Sequence, residues 1–434
     1  ACLGERDDAD ERATVPRGDP DERPERQHAW NAVLSTDADG NTLPPEHRVL
    51  LPLRLRTDPD DEARTQVSAA FERLEEAYAY DPEGLLFTVG YSPAYFARLD
   101  AVDAPVPEPK ALTSMESPAF DEFDAVVHLA SNEASVVLEA EQALFGEADP
   151  NGLDPEPLGD VFDRAEPRRT GFVGEGLPAE HVDVDGVPDS VPESAPFFMG
   201  FRSGFAESQA PEERVTILDG AFAGGTTLHV STMDLNLRQW FEQDSHYQRV
   251  AKTYSPDHAD EGVGEIGEEL GSATGAADVA ATTESDARTR GIVGHAQKAA
   301  RARDPDGTPP LLRRDVNTID GDGPGVHFIA YQRAIDDFVR VRDAMTGADL
   351  TEGGVGQRLN NGILQYVLVR RRGNFLVPPR SMRALPTAGD DDAAVGNTSS
   401  VNDGAAGNAG GVNDAGGASD AGGDGGDATD GDTR

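Results

Sequence analysis

The chain has 434 residues, enough for two ordinary domains, and its 80 Asp and Glu residues outnumber 37 Lys and Arg residues, which gives a formal net charge of −43. Phosphate binding requires cations clustered on a basic face, so this charge argues against nucleic acid as a partner. The single cysteine, Cys2, excludes an internal disulfide and a cysteine-rich metal site. The sequence contains no run of about 20 apolar residues that could span a membrane.

The excess of carboxylates and the scarcity of lysine indicate a protein adapted to concentrated salt. Only three of the basic residues are lysines, Lys110, Lys252 and Lys298, and the others are arginines. A surface with so many carboxylates repels itself in dilute buffer, whereas the Debye length falls to about 3 Å near 1 M salt. We therefore expect a halophilic protein from an archaeal source.

The first residues predict an exported protein. Ala1 and Cys2 resemble the cut end of a lipoprotein signal, where the cysteine carries the lipid. On this interpretation residues 1–27 form a flexible tether, and the protein is held at the cell surface by a lipid anchor at Cys2. The alternative is a chain boundary that falls at a cysteine by chance.

The first dense part of the chain, residues 28–147, alternates strand and helix patterns. A helix is expected after Asp58 and Pro59, because Val67, Phe71, Leu74 and Tyr78 recur at helical spacing. The other expected elements are strands at 47–56, 84–91 and 123–131 and a helix at 132–146. Residues 148–196, rich in Pro, Gly and Asp, are expected to be an irregular linker.

The second dense part, residues 197–385, repeats this order. Strands are expected at 225–235 and 325–332, helices at 236–250 and 333–345, a loose stretch at 255–291 and a closing hairpin at 363–379. Residues 386–434 have no aromatic residue and predict a disordered acidic tail. The repeated units predict an α+β fold of two ferredoxin-like halves.

One histidine stands apart from the other eight. His128, His229 and His327 lie in predicted strands and are interpreted as structural, while the remaining five are expected in polar surroundings: His28, His47, His181, His246 and His258. His295 follows a glycine-rich break and begins a helix with Lys298, Arg301 and Arg303. Further arginines follow at 313–314 and 370–372, and cations concentrated in so acidic a chain suggest a bound anion. The alternative is a helix-start histidine held by local hydrogen bonds.

A nine-residue segment, FFMGFRSGF at 197–205, frames Ser203 with two glycines. Glycines at this spacing allow a tight turn or the close approach of something flat or anionic. Together with His295, Arg313, the stretch GVHFIAYQRAIDDF and the later FLVPP, this segment resembles the dye-decolorizing peroxidase (DyP) family over roughly residues 30–385.

The resemblance implies a heme peroxidase with heme b in its second half. His295 then corresponds to the proximal iron ligand and Arg313 to the distal arginine, with Gly200, Phe201 and Gly204 in the loop over the distal face of the heme. It further implies that Arg301 meets a heme propionate and that Asn361 lies near the place of an acid that hydrogen-bonds the ligand histidine.

The sequence departs from the family at Ser203, where the family loop has an aspartate that assists proton transfer from peroxide. A hydroxyl is a weak base, although it can hold a water that relays the proton, or it can simply satisfy the turn. Two functions stay open: an exported peroxidase that uses hydrogen peroxide and an unidentified reductant, impaired by Ser203, and a non-catalytic heme-binding or heme-carrying protein. A scaffold without heme is a weaker alternative. Sheet-rich halves of this type often self-associate, so a homo-oligomer is one expectation.

The charge predicts a dependence of stability on salt. Lowering NaCl from molar concentration to about 0.1 M should lower the melting temperature by several degrees, because carboxylate repulsion is no longer screened. Circular dichroism of the purified protein at several salt concentrations measures this, and a melting temperature independent of salt would contradict the halophilic interpretation.

Overall fold

A computed structural model describes residues 15–99 and 102–387, so Cys2 and the acidic tail from residue 388 lie outside the described residues. Its strands are β1 (His47–Leu55), β2 (Leu86–Tyr91), β3 (Ala119–Phe120), β4 (Ala125–Ser131), β5 (Phe162–Arg164), β6 (Arg169–Phe172), β7 (Thr226–Leu235), β8 (Leu312–Arg313), β9 (Val316–Thr318), β10 (Gly325–Gln332) and β11 (Val367–Val377). Its helices are α1 (Asp61–Ala77), α2 (Pro93–Phe96), α3 (Ala134–Ala143), α4 (Glu212–Val215), α5 (Leu237–Gln243), α6 (His246–Thr253), α7 (Pro256–Glu261), α8 (Ala276–Ala280), α9 (Thr283–Thr289), α10 (His295–Ala300) and α11 (Ile335–Thr346).

Eight of the strands close into an antiparallel barrel. Their order is β2-β4-β1-β6-β9-β10-β7-β11, and β11 pairs back to β2 to complete the ring. Two of these contacts are single residue pairs, Phe172 with Asn317 between β6 and β9, and Leu376 with Tyr91 between β11 and β2. The α+β class is therefore confirmed, and the strands of the two parts share one barrel. Their description as two ferredoxin-like halves stays a prediction.

Alternation along β1 explains how the barrel is filled. Val49, Leu51 and Leu53 belong to the cluster that packs against α1 and α3, whereas Leu50 joins residues of β4, β7, β10 and β11 in the barrel interior. Successive side chains of a strand point to opposite faces, so a strand covered on both faces is apolar at almost every position. Residues 49–53 are buried throughout for this reason.

The predicted linker at 148–196 is wrong in part, because it supplies sheet strands. β5 pairs with β1, and β6 pairs with both β1 and β9 inside the ring. Short strands with few apolar residues give a weak periodic signal, and this segment is also rich in proline and glycine. The barrel cannot close without it.

The predicted tether at 1–27 is also wrong for its last residues. Gln27 is buried; its Nε2 donates to the Pro378 carbonyl at 2.8 Å and its Oε1 accepts from Val89 N at 2.9 Å. Arg23 is buried and donates to the carbonyls of Glu75 and Leu85. Residues 1–14 lie outside the described residues.

Three local expectations need correction. The helix expected at 236–250 is broken between α5 and α6, because Ser245 caps a new helix with a capping box to Gln248. The stretch at 255–291 contains α7, α8 and α9, and the closing hairpin is the single strand β11.

Within residues 15–99 and 102–387, the helices are all too short or too polar to cross a membrane.

The burial of the histidines does not follow the polarity of their neighbours in sequence. His128, His229 and His327 are buried as predicted, but His28 and His258 are buried too. His28 Nε2 lies 2.9 Å from Thr216 Oγ1, and His258 lies between Ser255 Oγ and the Thr274 carbonyl, each at 2.6 Å. Polar residues beside a histidine in sequence therefore do not indicate exposure, because Thr216 and Thr274, which are distant in the chain, hold these two rings in the interior.

Burial of neutral histidines predicts loss of stability in mild acid. Burial, followed by nearby arginines, lowers the pKa of His28 and of His229 to about 3, and lowers that of His128 well below its usual value of 6.5. The unfolded chain therefore binds more protons than the folded chain as pH falls below 6.5, and the free energy of unfolding must decrease. In molar salt, the melting temperature should fall between pH 7 and pH 5.

The matched control is His47→Gln, at the half-exposed start of β1. This variant should show the same pH dependence as the parent protein. A melting temperature unchanged from pH 7 to pH 5 would mean that the buried histidines take up protons without unfolding.

Candidate functional site

A large apolar cavity lies between the barrel strands of the second part and the segments that cover them. It comprises roughly 1770 Å³ of space free of protein atoms, its opening included. The 197–205 segment, β7, β10, β11, α10 and α11 all contribute side chains. Its apolar walls include Phe197, Phe205, Phe328, Val341 and Leu364. Of the predicted site residues, His295, Ser203, Phe201 and Arg313 line this one cavity.

The charge of the cavity is opposite to that of the chain. Five arginines line it, and Asp315 is the one carboxylate among the described residues of its wall; the arginines are Arg202, Arg303, Arg313, Arg342 and Arg372. In a chain of net charge −43, such a wall favours an anionic ligand with a large apolar surface.

His295 begins α10 in a position that only glycine neighbours permit. A Cβ on Gly294 would lie 1.7 Å from the Tyr254 carbonyl oxygen, and one on Gly362 would lie 3.1 Å from His295 N. Gln297 Oε1 accepts a hydrogen bond from Gly294 N at 3.0 Å and fixes the start of the helix. The backbone of His295 is therefore held closely from two sides.

The imidazole of His295 is electrically neutral and half-buried, with its exposed part toward the cavity. Its depth in the protein, followed by the charges of Lys298 and Arg313, lowers its pKa to about 3. Among the described residues, its ring takes part in no side-chain hydrogen bond, which removes the alternative of a locally held helix-start histidine. A neutral nitrogen facing an apolar cavity can coordinate a metal ion.

The 200–204 loop turns sharply at both of its glycines. Gly200 and Gly204 have φ of 83° and 81°, in the left-handed region that glycine adopts without strain. Phe201 and Phe205 are buried against Tyr254, with ring centroids at 5.6 and 6.3 Å. The aromatic residues hold the loop to the protein, and Ser203 is left exposed at its tip.

Arg313 reaches Ser203 across the cavity wall. Its Nη1 donates to Ser203 Oγ at 3.3 Å, and its Nη2 donates to Ser208 Oγ at 3.3 Å. Gln209 fixes the backbone of Arg313 with two hydrogen bonds, at 2.8 and 3.0 Å. The loop serine and the predicted distal arginine are thus brought together, as the sequence resemblance expects.

Asn361 does not make the predicted contact. Its Nδ2 donates to the carbonyls of Thr346 and Gln357 at 2.8 and 3.1 Å, and its Oδ1 accepts from Lys298 Nζ. Lys298 is fully buried, and desolvation followed by repulsion from Arg342 lowers its pKa to about 7. Asn361 therefore stabilises a buried lysine one turn after His295.

Arg301 is also placed differently from the prediction. It lies at the surface and pairs with Asp349, away from the cavity wall. The deeper cations are Arg342 and Arg372, whose Nη2 atoms share Glu116 at 3.4 and 2.9 Å. The Nε atoms of both are buried without a hydrogen-bond partner among the described residues.

Sequence reasoning missed Arg342, Arg372 and Asp315 as cavity residues. Arg372 belongs to a noted cluster, but the face on which it lies depends on the register of β11. Asp315 had a readable signal, because residues two apart in an extended segment point to the same side and Arg313 was already identified. Within the described part of the chain, no three His, Cys, Asp or Glu side chains come together as a metal site.

Comparison with known proteins identifies the fold. Solved structures that match include a protein from Shewanella oneidensis assigned to the DyP-type peroxidases, with 15% identity, 79% of this chain and 95% of that chain covered and a TM-score of 0.53. The dye-decolorizing protein from V. cholerae matches with 15% identity, 82% and 98% coverage and a TM-score of 0.50. The encapsulated DyP-type peroxidase from Mycobacterium smegmatis has 15% identity, 82% and 99% coverage and a TM-score of 0.50.

At this identity the likeness concerns the fold alone, and it agrees with the family expected from the sequence. No curated protein matches the chain. A family model matches residues 45–379, from the first strand of the barrel to the end of the last. The chain therefore belongs to the family of unknown function DUF7405.

Proposed function

We propose that this protein binds heme and acts as a peroxidase that reduces hydrogen peroxide and oxidises an unidentified reductant. The observation that carries the proposal is His295, a neutral imidazole without a side-chain hydrogen-bond partner, facing an apolar cavity rimmed by arginines. The DyP-type fold supports the same conclusion.

The chemistry of the cavity fits heme b. The porphyrin is large and apolar, its iron accepts an imidazole, and its two propionates require cations. The cavity offers phenylalanine and aliphatic walls, one neutral imidazole, and five arginines. In this proposal His295 holds the iron, and Arg303, Arg342 or Arg372 takes the propionate role first expected of Arg301.

Bound heme would supply the two electrons that peroxide reduction requires. The chain's own residues bind and orient the peroxide. Arg313 stabilises negative charge that develops on a peroxide oxygen, because its two terminal nitrogens are already aimed by Ser203 and Ser208. Phe201, Gly200 and Gly204 fix the loop that holds Ser203 beside Arg313.

The second candidate is a heme carrier without turnover. Ser203 favours it, because the loop lacks the carboxylate that the resembling family uses for proton transfer. Arg313 favours the peroxidase, because an arginine fixed by three polar neighbours has no evident use in a carrier. Export with a lipid anchor at Cys2, the halophilic source and self-association stay predictions.

The ligand role of His295 is tested by heme binding. In high salt, the protein titrated with hemin should develop a Soret band of a histidine-bound heme, and His295→Ala should lose that band or shift it strongly. His47→Ala, on the other part of the barrel, should bind as the parent does. Equal spectra for His295→Ala and the parent would exclude His295 as ligand.

The role of Arg313 separates the two candidates. Arg313→Leu should retain the Soret band but slow peroxide consumption by about 10²-fold, because a preorganised charge donor is lost. A parent protein that binds hemin but consumes peroxide no faster than Arg313→Leu would favour the carrier.

A further inference from the structure

The cavity contains a carboxylate that the 200–204 loop does not supply. Asp315 lies between β8 and β9, two residues after Arg313 and two before Asn317, and all three line the cavity. Side chains alternate along an extended chain, which places these three on one side. Among the described residues of the wall, Asp315 is the one acid.

The two oxygens of Asp315 have different surroundings. Oδ1 accepts a hydrogen bond from Ile329 N on β10 at 3.0 Å, which fixes the orientation of the carboxylate. Oδ2 lies 3.6 Å from Arg313 Nη1, the same nitrogen that donates to Ser203 Oγ at 3.3 Å. A small molecule bound at Arg313 therefore lies near both the loop hydroxyl and the carboxylate.

Two arginine side chains face this acid. Arg313 comes from its own segment and Arg48 from β1, while β10 offers only a backbone amide. Burial is the largest influence and raises the pKa of Asp315, although both arginines oppose it. A raised pKa makes a carboxylate a better proton acceptor than an exposed one.

We infer that Asp315 is the group that accepts the proton of hydrogen peroxide in this cavity, in place of an acid in the loop. This inference rests on the proposed function. One O–H bond of hydrogen peroxide breaks as its proton moves to Asp315 Oδ2, and the hydroperoxide anion that forms is stabilised by Arg313. The O–O bond then breaks with both bonding electrons going to the departing hydroxide, and the remaining oxygen would take two electrons from bound heme. The proton returns from Asp315 to that hydroxide, which leaves as water, so the carboxylate is regenerated.

Ser203 is the weaker candidate for this step. Its hydroxyl oxygen already accepts a hydrogen bond from Arg313 Nη1. The positive charge of that guanidinium disfavours the transfer of a peroxide proton to the same oxygen. Ser203 then orients Arg313, and Asp315 exchanges the proton. This division predicts that a carboxylate can be moved from position 315 to position 203.

The experiment uses cyanide as a probe, because hydrogen cyanide must also give up a proton when its anion binds heme iron. The hemin-loaded protein in high salt is mixed with cyanide, and the rate constant of association is read from the Soret shift between pH 4 and pH 8. The variants are Asp315→Asn, Asp315→Glu and the double variant Ser203→Asp with Asp315→Asn. Asp322→Asn, in an exposed loop, is the control for the lost charge.

In the parent protein the rate constant should rise with pH through the pKa of Asp315, since only the ionised carboxylate accepts a proton. Asp315→Asn should bind cyanide about 100-fold more slowly, and its rate constant should lose this rise with pH, which is the acid limb of the profile. Asn retains the acceptor for Ile329 N, so hemin binding should be unchanged. Asp315→Glu should stay within about tenfold of the parent, the double variant should recover the acid limb, and Asp322→Asn should match the parent.

The outcomes separate this inference from the function on which it rests. A parent that fails to bind hemin overturns both. A parent and an Asp315→Asn variant that bind hemin and then cyanide at equal rates overturn the role of Asp315 and leave heme binding intact. If Asp315→Asn does not bind hemin, the parent's own pH profile decides, and the absence of an acid limb in it overturns the inference.

Discussion

The side chain of Asn317 joins the barrel to the cavity. Its Oδ1 accepts from Phe198 N at 2.9 Å, and its Nδ2 donates to the carbonyls of Phe172 and Pro196 at 3.1 and 2.9 Å. Phe172 is the residue with which β6 meets β9, where a single residue pair closes that seam. One buried amide thus secures a seam of the ring and the start of the loop that carries Ser203.

The arrangement of charge follows from the same geometry. Residues 313, 315 and 317 share one side of the chain, so the arginine and the aspartate line the cavity beside the amide that secures the seam. An acidic surface suits concentrated salt, but an apolar cavity with five arginines suits an anionic ligand. Glu116 balances part of this charge from behind, where Arg342 and Arg372 share it.

The chemistry proposed for the cavity divides two tasks, the orientation of Arg313 and the exchange of the peroxide proton, between different residues. A single aspartate in the loop could perform both. Ser203 and Ser208 aim the guanidinium of Arg313, and Asp315 lies beside it with one oxygen fixed by the sheet. An acid in the short connection between β8 and β9, with one oxygen bonded to the β10 backbone, is positioned more rigidly than one at the tip of a loop. The absence of an acid in the 200–204 loop therefore does not remove a proton acceptor from the cavity.

The sequence by itself determined the α+β class and the longer strands and helices, and it singled out His295 and Arg313, both of which line the cavity. These features depend on local periodicity and on the spacing of a few motifs, and both can be read from one amino-acid sequence. It also identified the loop glycines, because φ near 80° at Gly200 and Gly204 needs no side chain.

Only the tertiary structure decided which cations meet the cavity and which polar groups are buried. Arg301 and Arg372 are both arginines in the second part of the chain, yet Arg301 pairs with Asp349 at the surface and Arg372 is buried on β11. His28 and the strand at 169–172 likewise gain their positions from partners more than 100 residues away. Such contacts are set by barrel closure, and no local pattern of residues records them.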